Sequence, residues 1–241
     1  MNYQLHKHND ATETARAVAE RILQQALAKA DVGQKLHVAV SGGSTPKLLF
    51  EIMGEEFQYK MPWQSINIFW VDERCVAPTH PESNYGMTYD ALLRKSYIPN
   101  DNIFRIKGEE MPSDEAERYA TLLRKTLPHS NGWPVFDIVL LGIGDDGHTA
   151  SIFPNNMALL TDERTVAVAT HPTSGQKRIT LTGKTICNAT RIIFLVNGAS
   201  KASIVRQIIQ QTDAAKHYPA THIAPVHGRI YMYGDLAALG E

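Results

Sequence analysis

The sequence predicts an open α/β fold, a mostly parallel sheet with helices on both faces. Three observations predict it. Short apolar runs (LHVAV, INIFWV, FDIVLL, IIFLV) alternate with longer stretches of helical periodicity, the pattern of right-handed βαβ crossovers. The best of these runs are apolar throughout rather than alternating, as strands are when a sheet is covered on both faces. Each of four runs ends directly on a polar or Gly-rich segment, at the strand ends where open α/β sheets bind ligands. With 241 residues, a single domain spanning 1–241 is expected.

Taken in order, Asp10 with Glu13 has capping-box spacing, and apolar residues then recur at Ala15, Val18, Ala19, Ile22, Leu23, Ala26, Leu27 and Ala30, which predicts a helix. Gly33 stops it, and Leu36 to Val40 is the first expected strand, with only one helix before it. Thr45 as N-cap and Pro46 at the first helical position predict a helix through Met53. Ile66 to Val71 is a strand, about 84–95 a helix, and Ile103 to Ile106 a weak strand. Ser113 is expected to cap a helix with apolar positions at Ala116, Tyr119, Ala120, Leu123 and Leu127. Phe136 to Leu141 is the clearest strand. Val166 to Ala169 and Arg178 to Thr182 are short ones, Ile192 to Val196 is buried, and a last strand lies near Ile230 to Tyr233. Trp63, Phe69 and Trp70 read as packing residues.

Composition narrows the function. Lys and Arg number 24 against 25 Asp and Glu, for a formal net charge of -1. No basic face broad enough to drive nucleic-acid binding is expected. No apolar run reaches membrane-spanning length, and the polar N-terminus has no signal-peptide core. The 2 Cys, Cys75 and Cys187, form no disulfide framework or zinc spacing, so a reducing, cytoplasmic setting is expected. HxxxH, HExxH and GxSxG are absent, which points away from a metal centre and from covalent serine or cysteine catalysis. No metal and no cofactor are expected.

The four strand-end segments carry the chemistry. In Ser41-Gly42-Gly43-Ser44-Thr45-Pro46 two glycines allow close backbone approach and a helix N-terminus follows, which makes a phosphate cradle without a Walker lysine; the bland alternative is a tight βα turn. Gly142-Ile143-Gly144-Asp145-Asp146-Gly147 contains GxGxxG, but its two carboxylates would oppose a pyrophosphate. The better feature is His148, expected at the start of a helix just past the glycines. A lone histidine is more often structural, yet Asp145 or Asp146 can orient this one and hold its tautomer, and an imidazole is a competent general base. Asp72-Glu73-Arg74 places two carboxylates and a guanidinium at a strand end, where a surface ion-pair cluster is the plain alternative. Arg74, Arg178 and Lys201 are the cations near this edge, and they suit a phosphate dianion.

At these loops the chain resembles the 6-phosphogluconolactonases, within the wider glucosamine-6-phosphate isomerase/lactonase group. SGGSTP, VDER, ESNYG, GIGDDGHTASIFP, RITLT and GASKA occur in the family's order. DER and DGHTASIFP are the lactonase versions of motifs that the sister deaminases carry in other forms. Lys184, where proline is common, and Tyr231-Met232-Tyr233, where a Trp-Phe-like pair is usual, depart from the pattern. The resemblance implies a Rossmann-like, glucosamine-6-phosphate deaminase-like sheet. It also implies hydrolysis of 6-phospho-D-glucono-1,5-lactone to 6-phosphogluconate in the oxidative pentose phosphate pathway. His148 would activate water. The Ser41–Thr45 turn, with Arg74, Arg178 and Lys201, would hold the 6-phosphate, and which of the three cations serves the phosphate and which the oxyanion is left open. Asp72 would orient substrate or assist as an acid or base. The expected partner is a sugar-phosphate lactone, with no nucleic acid or membrane, on a monomer or small homo-oligomer. An amino-sugar-phosphate deaminase and a sugar-phosphate sensor domain remain open as alternatives.

Overall fold

In a computed structural model describing residues 3–241, seven strands form one parallel sheet. They are β1 (Gln4–His8), β2 (Leu36–Val40), β3 (Ile66–Trp70), β5 (Ile103–Phe104), β8 (Ile138–Leu141), β11 (Arg191–Val196) and β12 (Arg229–Asp235). A small antiparallel sheet joins β4 (Asp72–Arg74), β10 (Lys177–Leu181) and β9 (Val166–Thr170), and β6 (His129–Ser130) pairs with β7 (Trp133–Pro134). The helices are α1 (Ala11–Ala30), α2 (Ser44–Glu56), α3 (Asn84–Ala91), α4 (Pro112–Thr126), α5 (Gly183–Cys187), α6 (Ala202–Gln210) and α7 (Leu236–Leu239).

The large sheet runs β1-β12-β11-β8-β2-β3-β5. From β2 the chain steps outward to β3 and β5, crosses back to β8 on the other side of β2, and steps outward again. That reversal makes β2/β8 the switch point, where a crevice opens beyond the strand ends. Only Val38↔Ile138 and Ala39↔Val139 pair across it, and Ser41 Oγ donates to the Leu140 carbonyl at 2.7 Å, tying the two strands together where they separate. Every residue of β3 and β8 is buried. Neighbouring side chains on a strand point to opposite faces, so both faces of the sheet are covered, as the apolar runs predicted. Phe69 stacks on Phe104 with centroids 4.7 Å apart. The Tyr119 hydroxyl, fully buried, accepts from Trp70 N and donates to Trp70 O.

Several boundaries differ from expectation. Gly43, not Thr45, is the N-cap of α2, because its φ of 109° turns the chain earlier than a threonine would allow. Met111, not Ser113, precedes α4, whose first residue is Pro112. The strand β1 precedes α1. It is a half-exposed edge strand held by β12, and QLHKH carries no apolar alternation to reveal it. Asp10 does cap α1, accepting from Glu13 N at 2.8 Å. Among the described residues no helix is long and apolar enough to cross a membrane.

Candidate active site

The four strand-end segments converge on one cleft of about 230 Å³ at the switch point. Ser41, Gly42, Gly43, Ser44, Thr45, Asp72, Arg74, His148, Arg178 and Lys201 line it. Asp146 does not; it stands behind His148. Asn84 and Asn197, which sequence reasoning assigned no role, line it as well.

One end of the cleft is the N-terminus of α2. No side chain caps it, and Gly43, Ser44 and Thr45 line the cleft there, an arrangement of free N–H groups and hydroxyls able to take an anion. Ser41 is a strand tie instead, since its hydroxyl proton goes to Leu140. Gly42 is required by packing, because a Cβ there would lie 1.7 Å from Asn84 Oδ1.

The small sheet supplies another wall. In its register Arg178 opposes Arg74 and Thr180 opposes Asp72, which places these four side chains on one face. Glu73 points the other way. Its carboxylate accepts from Arg74 N, Asn84 N and Tyr85 N at 2.7–2.8 Å, anchoring the start of α3. Burial pushes the Glu73 carboxyl above the usual range, partly offset by these donors. The DER cluster therefore divides into two groups facing the cleft and one structural acid. Asp72, 5% exposed, accepts from Ser151 Oγ at 2.6 Å and, through its backbone carbonyl, from Asn84 Nδ2 at 2.9 Å. Arg74 donates to the Glu82 carbonyl at 2.5 Å. Burial pulls the Arg178 guanidinium below its ordinary value, with Asp72 opposing this and Arg74 adding to it.

His148 lies in a loop rather than at a helix start. Gly144 N donates to His148 O and Gly147 N to Gly144 O, and Thr149 bridges to Ile152, so the segment is spent on a tight turn. The ring rests on Gly144, where a Cβ would fall 2.1 Å from Nδ1. Asp146 Oδ1 lies 2.5 Å from His148 Nδ1 and accepts from His148 N at 3.1 Å. Burial works against the Asp146 carboxylate. The His148 N–H groups and charge outweigh it and hold the carboxyl below its usual range. A carboxylate on Nδ1 fixes the tautomer that leaves Nε2 free to accept a proton. The neighbouring Asp145 faces elsewhere and takes Lys201 Nζ at 2.6 Å. Neither thiol lines the cleft, and burial pushes Cys75 up to about 11 and raises Cys187. Among the described residues no three His, Cys, Asp or Glu side chains gather as metal ligands.

A sequence model of glucosamine-6-phosphate isomerases/6-phosphogluconolactonase matches residues 9–232. The chain belongs to this family. Within it, the chain is 41% identical over 229 residues to the 6-phosphogluconolactonase of Haemophilus influenzae, covering 94% of this chain and 96% of that one. It is 40% identical over 203 residues to the 6-phosphogluconolactonase of Treponema pallidum, covering 84% of each. The crystal structure of 6-phosphogluconolactonase from Leishmania guyanensis superposes with a TM-score of 0.84 at 29% identity, covering 99% of this chain and 98% of that one. The family's sheet is the one described above. Asn84 and Ser151 sit inside the ESNYG and GIGDDGHTASIFP segments that carry the family resemblance, which is the only sequence signal that pointed near them.

Proposed function

We propose that this protein is a 6-phosphogluconolactonase, hydrolysing 6-phospho-D-glucono-1,5-lactone to 6-phospho-D-gluconate in the oxidative pentose phosphate pathway. The observation that carries the reading is the Asp146–His148 pair, set in a cleft that also holds an uncapped helix N-terminus and three cations. A δ-lactone is an activated ester, so a positioned base and an oxyanion partner suffice. His148 Nε2 takes a proton from water as the oxygen attacks the lactone carbonyl. An Arg74 or Arg178 guanidinium faces the oxyanion of the tetrahedral intermediate. The C1–O5 bond then breaks and His148 returns the proton to the ring oxygen. The α2 N-terminus and Lys201 hold the 6-phosphate, a remote group whose binding positions the carbonyl. Asp72, held by Ser151 and Asn84, orients the substrate hydroxyls.

The test is turnover of freshly generated lactone in a coupled assay, corrected for spontaneous hydrolysis, before and after exhaustive EDTA treatment. A metal-independent rate above background is expected. Ammonia release from glucosamine 6-phosphate would make the protein a deaminase, and binding without turnover would make it a sensor.

A further inference from the structure

The turn that presents Lys201 to the cleft is anchored from behind by a residue that never reaches the cleft. After β11 the chain passes through Asn197 and Gly198, whose φ is 90°, and enters a 3-10 turn over Ala199–Lys201 closed by Lys201 N donating to Gly198 O at 3.0 Å. The orientation of the Gly198 peptide therefore sets where Lys201 emerges. Glycine at positive φ has little preference of its own, so an outside contact must choose it. That contact is Asp235. The last β11/β12 register pair is Val196↔Gly234, and one residue further on the ladder is replaced by a side chain. Both carboxylate oxygens of Asp235 accept from Gly198 N at 3.0 Å. Oδ1 also accepts from Ala238 N at 2.7 Å. Asp235 is 6% exposed and does not line the cleft. Capping α7, which is four residues long, needs one of these contacts and leaves the clamp on Gly198 unexplained.

We propose that Asp235 is a positioning residue for phosphate recognition, holding the Gly198 turn so that Lys201 meets the 6-phosphate. It acts through Lys201 and so rests on the assignment of Lys201 to that group. The test is a mutant cycle of D235A, D235N, K201A and D235A/K201A, read as kcat and KM on the phosphorylated lactone, rates on unphosphorylated glucono-δ-lactone, and the inhibition constant of inorganic phosphate. D235A should raise KM and the phosphate inhibition constant about tenfold, with kcat within about twofold, because loosening a support shell misplaces the contact it holds. D235N, which keeps one oxygen acceptor, should fall between D235A and wild type. Rates on the unphosphorylated lactone should not change. Added to K201A, D235A should have little further effect, since the two act as one unit. Full additivity, equal losses on both lactones, or a folded D235A with normal phosphate affinity beside a defective K201A would each overturn the proposal alone. A K201A that binds phosphate normally would instead remove the Lys201 assignment and the proposal with it. If D235A does not fold, D235N in the same cycle carries the test.

Discussion

Arg178 stands directly across the β4/β10 ladder from Arg74, and the Nε of each is buried without a partner. Like charges directly opposite on paired strands are destabilising, and Asp72 is the one carboxylate on their shared face. An anion entering the cleft would relieve this pair. Inorganic phosphate should therefore raise the Tm of the free protein, with the increase growing as phosphate concentration rises. R178Q should have a higher Tm than wild type in phosphate-free buffer and should gain less from added phosphate. Equal gains in both proteins, followed by calorimetry, would show that the guanidinium pair takes no part in anion binding.

The Asp146–His148 contact makes a prediction about tautomers. His148→Asn removes the proposed base and should lower kcat by about 10²–10⁴-fold with little change in KM. Asp146→Asn is the sharper test. An amide can donate to Nδ1 and so place the ring proton on Nε2, where it blocks proton acceptance. D146N should therefore be slower than D146A, although it is the more conservative change. A D146N variant faster than D146A, in enzyme rates above the background hydrolysis, would mean that Asp146 matters by charge and not by tautomer.

Asp145 occupies the cation that the 6-phosphate is assigned, with Lys201 Nζ at 2.6 Å. Its side chain is 86% exposed and that of Lys201 22%, so this is a surface pair of modest strength. Removing an internal competitor should tighten anion binding. D145N is expected to lower the inhibition constant of inorganic phosphate by about two- to fivefold, the range such a pair supports. Weaker phosphate inhibition in D145N would show that Asp145 steadies Lys201 instead of competing for it.

His37 gives the stability of the fold a pH dependence remote from the cleft. Its ring lies on β2 with Nδ1 3.3 Å from Asn67 Nδ2 and its edge toward Phe69. Burial lowers its titration below the usual value, Asp137 opposes this, and Lys29 and Lys35 add to it. The folded state thus keeps His37 neutral where the unfolded chain protonates it. Its stability contribution is complete above the unfolded value of about 6.5 and is lost as pH falls through the folded one. His37→Gln should flatten the fall in Tm below that pH relative to wild type. Parallel Tm curves for the two proteins would remove His37 from the account.

Much of this protein is local and therefore legible in its residues. Apolar runs long enough to be covered on both faces named the strands of the sheet interior. The turns after them had to be glycine or polar whatever the order of the strands. Ten of the eleven site residues named from the sequence line one cleft, and the eleventh, Asp146, contacts the histidine in it. What failed locally did so for identifiable reasons. The strand β1 is an edge whose pairing with β12 is separated from it by most of the chain. Gly43 displaced Thr45 as the cap because a backbone dihedral, not a side-chain hydroxyl, decided where α2 begins.

Other features depend on contacts between distant segments. Strand alternation separates Asp72 and Arg74 from Glu73, but three residues are too few to show a period. Only pairing with β10 turned two of them to the cleft. Arg178 became a site residue by the same register, and a shift of one residue would have sent it to the opposite face. Ser151 reaches Asp72 across 79 positions of sequence, and Gly198 reaches Asp235 across 37. The sequence alone determined the layered fold, the strand-end loops and the side chains able to do the chemistry, because these follow from nearest-neighbour propensity and apolar burial. Tertiary structure decided which carboxylate faces the cleft, which serine is a tie and which aspartate contacts His148. Those choices rest on hydrogen-bond directions that exist only once separate strands are side by side.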